Sequence, residues 1–223
     1  MIVAIDGPAA SGKSTVAKLL ASRLGLAYLD TGAMYRAIAF EALRRGIDLA
    51  DADALTALAC EIAVSFEHEP GQPLPTKVLV DGRDVTGEIR SPEVDVAVSP
   101  VSAVAGVRAA MVEQQRRMAT EAADTVLEGR DIGTVVFPYA ETKVFLTAGV
   151  EERARRRTID MAQRGVEMTQ SEVRDKLQSR DSYDSNRETS PLTAAEDAVV
   201  IDTTGMTIDE VVEAIGRLVE ARK

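Results

Sequence analysis

The most informative segment of the chain lies near its N-terminus and reads Gly7-Pro8-Ala9-Ala10-Ser11-Gly12-Lys13-Ser14, with Thr15 next. It matches the pattern G-x-x-x-x-G-K-[ST] at every fixed position. The apolar residues 2–5 precede it, and residues 13–24 follow it with the periodicity of an amphipathic helix. A strand, a glycine-rich loop and a helix in this order are typical of a loop that binds a nucleoside triphosphate.

The residue types in this loop suit phosphate chemistry. Glycines let the backbone wrap round phosphate oxygens, and main-chain N–H groups then point inward. The N-terminus of the following helix adds a partial positive charge. Lys13 would reach the β- and γ-phosphates of ATP, and the Ser14 hydroxyl would ligate Mg²⁺. The predicted ATP site is therefore the whole loop from Gly7 to Thr15.

Composition and charge exclude several classes of protein. The 223 residues include 36 acidic and 26 basic side chains, for a formal net charge of -10. This balance disfavours a nucleic-acid binder, whose phosphate contacts need clustered cations. The single Cys60 cannot form an internal disulfide, and the single His68 cannot start a zinc cluster. Nothing in the sequence assigns a role to either residue.

The same features predict where the protein works. No segment approaches the about 20 consecutive apolar residues that a membrane helix needs. We therefore expect a cytoplasmic protein with no membrane or nucleic-acid partner. Since the composition is highly charged and shows no large apolar segment, we also expect a monomer. The length fits one domain of roughly 100–200 residues that carries an insertion.

Further along the chain, strand and helix patterns alternate. Strands are predicted near residues 28–29, 125–127, 143–146 and 198–201, and helices over 33–45, 53–63, 104–119 and 150–163. Thr169 with Glu172, and Thr207 with Glu210, form capping-box patterns that would open two more helices. This alternation predicts an α/β fold with a parallel sheet. Between residues 65 and 100 the sequence turns rich in Pro and Gly, and we predict a small, partly β insertion there.

Other phosphate-loop proteins fit the sequence less well. A GTPase needs an early D-x-x-G switch and an N-K-x-D base reader, but residues 202–205 match the first pattern too late and no N-K-x-D occurs. Residues 202–205 are therefore predicted to form a strand-to-helix turn. Residues 30–32 read D-T-G, as in aspartic proteases. That chemistry needs two carboxylates that share a proton, and the chain has no second copy.

A small kinase remains, and it must also bind a phosphorylated acceptor and cover the transferred group with cations. Arg36 lies on the helix predicted after the D-T-G residues. Arg130 follows the strand at 125–127, where ligands of open α/β sheets gather. Arg180, Asp184 and Arg187 are spaced so that they would share one face of a helix.

Four segments make the chain resemble the bacterial cytidylate kinases over nearly its whole length. They are residues 4–15 around the phosphate loop, LDTGAMYR at 29–36, EGRDIGTVVFP at 128–138 and RDSYDSNR at 180–187. The resemblance implies a P-loop kinase with a parallel β-sheet core flanked by helices, a β-rich monophosphate-binding insertion and a helical lid. It implies one domain over 1–223, with the core at about 1–64, 100–150 and 190–223, the insertion at about 65–99 and the lid at about 151–189.

The resemblance also implies an activity and a role for each site residue. The activity would be ATP-dependent phosphorylation of CMP and dCMP. Thr31, Arg36, Arg130 and Arg187 would hold the CMP phosphate, and Ser99, Arg108 and Asp131 would read the cytosine. Arg180 and Asp184 would contact the ribose, and Arg153 and Arg157 would lie near the ATP phosphates. The catalytic set would be Lys13, Arg130, Arg153, Arg157 and Arg187.

Two other functions stay open at this point. The first is another small phosphate-loop kinase, with AMP, UMP or shikimate as the acceptor. The second is a nucleotide-binding module without catalysis, which would bind ATP but release no ADP when an acceptor is added. An assay with a panel of acceptors separates the three.

Overall fold

The protein is described by a computed structural model that covers residues 1–122, 124–163 and 165–222. In chain order its strands are β1 (Ile2–Asp6), β2 (Ala27–Asp30), β3 (Val64–His68), β4 (Pro75–Val80), β5 (Arg83–Asp84), β6 (Thr125–Gly129), β7 (Thr142–Thr147) and β8 (Val199–Asp202). Its α-helices are α1 (Lys13–Leu24), α2 (Thr31–Arg44), α3 (Ala52–Glu61), α4 (Pro92–Ala103), α5 (Ala105–Glu121), α6 (Val150–Gln163), α7 (Gln170–Asn186) and α8 (Ile208–Glu220).

The strands form two sheets. One has five strands in the order β2-β6-β1-β7-β8, and the other has three in the order β3-β4-β5. Strand β7 pairs in parallel with both β1 and β8, with Ile5 opposite Val144 and Val144 opposite Val199. The small sheet is antiparallel and falls within the predicted β-rich insertion. The predicted α/β class with a parallel sheet is confirmed.

The chain divides into two compact units. The first consists of Met1 and Ala21–Leu127, and the second of Ile2–Leu20 and Glu128–Lys223. In the first unit, α2 packs against α4, and α3 packs against α5. A Cβ on Gly106 of α5 would lie 2.2 Å from the Thr56 hydroxyl, so the missing side chain is what lets α5 approach α3.

Helix α4 was not predicted from the sequence. Pro92 opens it after the N-cap Ser91, and Pro100 lies inside it. Proline at the first position suits a helix because its missing N–H would be unpaired there anyway, whereas an interior proline reads as a breaker. Ser99, which falls in the predicted partly β insertion, lies within α4.

The second unit is built round β1, β7 and β8. Helix α8 packs on β7 through an apolar face that includes Val211, Ile215 and Val219. The capping box at Thr207 opens α8, and the capping box at Thr169 opens α7, both as predicted. After β6, residues Ile132–Val136 form one π-helical turn that contacts β1. The sequence did not predict this turn.

A test of length and apolar composition finds no single membrane-crossing helix in the ranges covered above. Helices α4 and α5 pass it only as a pair, and they are bent by 96° relative to each other.

Candidate functional site

The phosphate loop adopts backbone angles that few residue types tolerate. Gly7 has φ of +147°, and a Cβ there would lie 2.0 Å from the carbonyl oxygen of Leu146 in β7. Gly12 has φ of +95° and Ala10 has φ of +59°. Positive φ at a residue with a side chain costs about 1–2 kcal/mol. The loop is therefore held in a defined shape by its glycines and by its contact with β7.

Lys13 is the first residue of α1, and its side chain folds back over the loop. Its ammonium group donates to the carbonyl oxygen of Pro8 at 2.7 Å and lies 3.5 Å from the Ser11 hydroxyl. Only 5% of the residue is exposed. Burial, followed by the positive charge of Arg130, lowers the pKa of Lys13 to about 7. A group with negative charge would reverse that shift, as the phosphates of ATP do.

Thr203 and Arg156 support the loop from the other side, and the sequence singled out neither. The Thr203 hydroxyl lies 3.3 Å from the Ser11 carbonyl oxygen and 3.0 Å from that of Thr147. Arg156 donates to the hydroxyl and the carbonyl oxygen of Thr203, at 3.0 and 2.8 Å. Residues 202–205 are the predicted strand-to-helix turn between β8 and α8, and this turn also braces the phosphate loop.

Arg130, Asp184 and Arg187 form a cluster in the second unit. Arg130 Nε donates to Asp184 Oδ2 at 3.1 Å, and Arg187 Nη1 lies 4.0 Å from Asp184 Oδ1. Asp184 is buried. Helix α7 ends at Asn186, so Arg187 is extended rather than helical and does not continue the predicted helix face. Its Nε also donates to the carbonyl oxygen of Ser190 at 2.6 Å.

The charge of Lys13 is linked to this cluster. Both Arg130 and Arg180 lower the pKa of Lys13 through their positive charge, while Glu128 and Asp6 act in the opposite direction. One unit therefore contains the phosphate-loop lysine, Arg130 and Arg187, which were expected at the acceptor phosphate, and Arg180, which was expected at the ribose. Such a cation cluster is suited to neutralise two phosphate groups.

Asp131 follows Arg130 at the end of β6 and is buried. It is the N-cap residue of the π-helical turn, yet its side chain makes no capping hydrogen bond. The carboxylate of Asp6 accepts from the N–H groups of Ile132 and Gly133 instead, at 2.8 and 2.7 Å. In the sequence, Asp6 belongs to the segment 4–15 that carries the family resemblance, but no role was predicted for it.

Arg153 is buried on α6 and is bonded to protein groups. It donates to the carbonyl oxygens of Ala148 and Ala9, at 3.0 and 3.2 Å, and pairs with Asp181 at 2.5 Å. Ala9 also packs in a small apolar cluster with Ala154, Val173 and Leu177 of α6 and α7. The two helices of the predicted lid are thus tied to the phosphate loop by Arg153 and by apolar contacts. Arg157 lies on α6 and is half-buried.

In the first unit, Thr31 and Arg36 lie on α2. Asp30 is the N-cap of this helix and accepts from the N–H of Ala33 at 2.9 Å, so the D-T-G residues open a helix. Thr31 comes next and is buried. Arg36 donates to the carbonyl oxygen of Ile89 at 3.2 Å and pairs with Asp95 of α4 at 2.5 Å.

Ser99 and Arg108 are also near one another in this unit. Arg108 of α5 is 3% exposed, and its guanidinium carbon lies 5.2 Å from the centre of the Tyr35 ring. It donates to the carbonyl oxygen of Ser102 at 3.1 Å, and the Ser102 hydroxyl donates to the carbonyl oxygen of Ser99 at 3.1 Å. The stacked pair of Tyr35 and Arg108 was not predicted, although Tyr35 directly precedes Arg36 in the sequence.

Comparison with known proteins decides the family. Residues 3–221 match the family model described as cytidylate kinase. The chain belongs to the cytidylate kinase family. It is 52% identical over 221 residues to the cytidylate kinase of Desulforamulus reducens, with 99% of this chain and 97% of the relative covered. It is 49% identical to the cytidylate kinase of Enterococcus faecalis, with 99% and 96% covered.

A solved structure supports the fold of this family member. An uncharacterized protein from Eubacterium ventriosum has a TM-score of 0.53 at 13% identity, with 100% of this chain and 99% of that chain covered. At this identity the likeness concerns the fold alone.

The residues at the loop also fit the Mg²⁺ that accompanies ATP. Within the ranges that the structure covers, no group of three or more His, Cys, Asp or Glu side chains is placed to hold a metal ion. Ser14 is exposed at the start of α1, next to Lys13. Since Mg²⁺ keeps several waters and takes ligands from substrate phosphates, a single protein hydroxyl beside the triphosphate site is compatible with it.

Proposed function

We propose that the chain catalyses the ATP-dependent phosphorylation of CMP and dCMP to CDP and dCDP, as part of pyrimidine nucleotide metabolism. The observation that carries the proposal is the cation cluster of the second unit, in a chain of the cytidylate kinase family. Lys13 extends from the phosphate loop, and Arg130 and Arg187 converge on Asp184. Such an arrangement serves transfer between two nucleotide phosphates better than binding of one nucleotide alone.

On the ATP side, the backbone of residues 7–15 holds the phosphates, and Lys13 neutralises the β- and γ-oxygens. Ser14 is the protein ligand of Mg²⁺, which when bound supplies further positive charge to these oxygens. Arg153 and Arg157 of the lid complete the set of positive charges around the ATP phosphates. For Arg153, the support is its hydrogen bond to the Ala9 carbonyl oxygen, which keeps its guanidinium beside the loop.

On the acceptor side, Arg130 and Arg187 bind the CMP phosphate, and the family resemblance gives Thr31 and Arg36 the same role. Arg180 and Asp184 contact the ribose. The phosphate of CMP is largely ionised at neutral pH because its second pKa is about 6, so its attack needs no strong base. Catalysis then consists of in-line positioning and charge stabilisation of the transferred group.

Asp131, Arg108 and Ser99 read the cytosine. The N4 amino group of cytosine donates a hydrogen bond, which a carboxylate such as Asp131 can accept. Uracil has a carbonyl oxygen at this position, which the carboxylate repels. Arg108 donates to the N3/O2 edge, and its orientation is supported by stacking on Tyr35. The wrong base leaves a buried polar side chain without its hydrogen bond. Binding of that base is therefore strongly disfavoured.

The proposal includes the arrangement of the whole protein. The chain forms one kinase domain. Its residues from about 65 to 99 form the monophosphate-binding insertion, and its residues from about 151 to 189 form the lid. The enzyme acts as a cytoplasmic monomer. Gel filtration with light scattering tests the oligomeric state, and a dimer would contradict it.

A coupled assay of ADP formation with a panel of acceptors tests the activity. We expect turnover with CMP and dCMP, less with UMP, and none with AMP or shikimate. Lys13→Ala should abolish turnover in a folded protein, because removal of one such contact costs about 100-fold or more. Arg130→Ala should raise the KM for CMP and lower kcat together.

Arg155→Ala is the matched control, since Arg155 is exposed on α6 and pairs with Glu152. Near-normal turnover in Lys13→Ala would overturn the proposed mechanism. Unchanged CMP kinetics in Arg130→Ala would remove that residue from the site.

A further inference from the structure

Asp6 is a buried carboxylate to which the proposed mechanism gives no role. It is the last residue of β1, next to Gly7, and only 4% of it is exposed. The structure describes two hydrogen bonds for its carboxylate. The carboxylate accepts them from the backbone N–H groups of Ile132, at 2.8 Å, and of Gly133, at 2.7 Å. These two residues directly follow Arg130 and Asp131.

In the π-helical turn, one aspartate occupies the N-cap position and a different aspartate makes the capping hydrogen bonds. An N-cap residue normally satisfies the first free N–H groups of its helix with its own side chain. Asp131 occupies this position, with φ of −145° and ψ of 24°, but its side chain does not cap the turn. Asp6 does so from a strand 126 residues away in sequence. The cap of this turn is therefore supplied by Asp6 and not by the side chain of Asp131.

The contact depends on a carboxylate and on a bare backbone opposite it. The two N–H groups donate to different oxygens of Asp6, whereas an asparagine would place an NH₂ group opposite one of them. A Cβ on Gly133 would lie 3.4 Å from Asp6 Oδ2 and 3.3 Å from Lys143 Cδ, so a side chain there would press on the contact. Burial raises the pKa of Asp6 to about 6, against the lowering effect of the two hydrogen bonds. The fold therefore retains an acidic group in a place that disfavours its charge.

We propose that Asp6 is a positioning residue that fixes Arg130 and Asp131 in the acceptor site through the two amides that follow them. It thereby sets the affinity for CMP and the preference for cytosine over uracil. The proposal rests on the roles given to Arg130 and Asp131 under the proposed function. It concerns the acceptor more than ATP, because the carboxylate of Asp6 is bonded to the segment after β6.

The test compares wild type, Asp6→Asn and the control Asp48→Asn. Asp48 is exposed in the first unit and also accepts a backbone N–H, from Ala50 at 2.9 Å. We expect Asp6→Asn to raise the KM for CMP about tenfold, equivalent to about 1.4 kcal/mol. The ratio of kcat/KM for CMP to that for UMP should fall as well. The KM for ATP should rise less than the KM for CMP, because Asp6 acts on the ATP side only through its charge near Lys13. Asp48→Asn should change none of these quantities.

Amide NMR shifts of the nucleotide-free protein provide a readout that does not depend on activity. We expect the Ile132 and Gly133 resonances to move in Asp6→Asn and to stay in Asp48→Asn. If Asp6→Asn does not fold, Gly133→Ala perturbs the same contact from the opposite side and should give the same selective rise in the KM for CMP.

The outcomes separate the two proposals. A wild type that does not phosphorylate CMP refutes the proposed function, while the amide shifts still report on the contact. Moved amides with unchanged CMP kinetics and base preference overturn the role of Asp6. An equal rise in the KM values for CMP and ATP would also overturn it, since that pattern indicates general damage to the fold.

Discussion

Binding of Mg·ATP should draw a proton onto Lys13. In the nucleotide-free protein the pKa of Lys13 is lowered from 10.5 to about 7, first by burial and then by the charge of Arg130. The negative phosphates of ATP favour the charged form and raise this pKa again. With the pKa at about 7, Lys13 is about half charged at pH 7 and about one-tenth charged at pH 8. Full protonation in the complex then takes up about 0.9 proton at pH 8, about 0.5 at pH 7 and about 0.1 at pH 6.

The pH trend distinguishes Lys13 from other groups. The pKa of Asp6 is raised to about 6, so any uptake by Asp6 would be largest near pH 6 and would vanish at pH 8. The phosphates of ATP are themselves deprotonated at pH 8, since the second pKa of a phosphate group is about 6. Uptake that grows from pH 6 to pH 8 therefore belongs to a group with a depressed basic pKa.

Isothermal titration calorimetry measures this uptake. The binding enthalpy is determined in buffers of different ionisation enthalpy, and its slope gives the number of protons. The slope at pH 8 should disappear in Lys13→Met. It should shrink in Arg130→Met, because the pKa of Lys13 rises when that charge is removed, and it should stay in the control Arg155→Met. A wild-type slope near zero at pH 8 would refute the reasoning, since Lys13 would then already be charged without nucleotide.

Three further substitutions test the packing that supports the site, each by urea denaturation. Gly7→Ala should cost at least about 3 kcal/mol or prevent folding, because its Cβ would lie 2.0 Å from the Leu146 carbonyl oxygen. An unchanged free energy of unfolding would show that β7 can shift to make room for the new Cβ. Gly106→Ala should cost about 1–3 kcal/mol, and Thr56→Ala should restore part of the loss, because the Thr56 hydroxyl lies 2.2 Å from the new Cβ. Simple additivity of the two changes would contradict this contact. Thr207→Ala should cost about 1 kcal/mol by removal of the cap of α8, and an unchanged midpoint would contradict the capping box.

Local signals in the sequence predicted much of the fold. The bounds of α1 and α6 agree with those expected from apolar and charge periodicity. Thr169 and Thr207 opened their helices as expected, since a capping box is complete within four residues. Helix α4 was missed because Pro92 and Pro100 are breakers on a local reading, whereas packing against α2 stabilises the helix that contains them.

The site was predictable where a motif carries it. Residue order alone predicts the phosphate loop, whereas Arg130 is predicted from its place after a strand and from the family resemblance. The hydrogen bonds of Asp6 could not be predicted, because its partners are 126 and 127 residues away and are backbone groups without a sequence signature. The burial of Arg153 was equally hidden, because a charge on a basic helix reads as solvent-exposed until its partners Ala9 and Asp181 are known.

The lowered pKa of Lys13 and the cluster at Asp184 express the same physical constraint. Transfer between two nucleotides needs cations on both phosphates, but cations that are gathered without their substrates repel one another. Asp184 offsets part of this repulsion by bonding Arg130 and lying near Arg187. Lys13 is lowered in pKa first by burial and then by the charge of Arg130, and a lysine, unlike an arginine, can release its proton near neutral pH. Lysine suits the phosphate loop for this reason, because its charge can return when a phosphate group binds beside it, whereas Arg130 and Arg187 keep theirs.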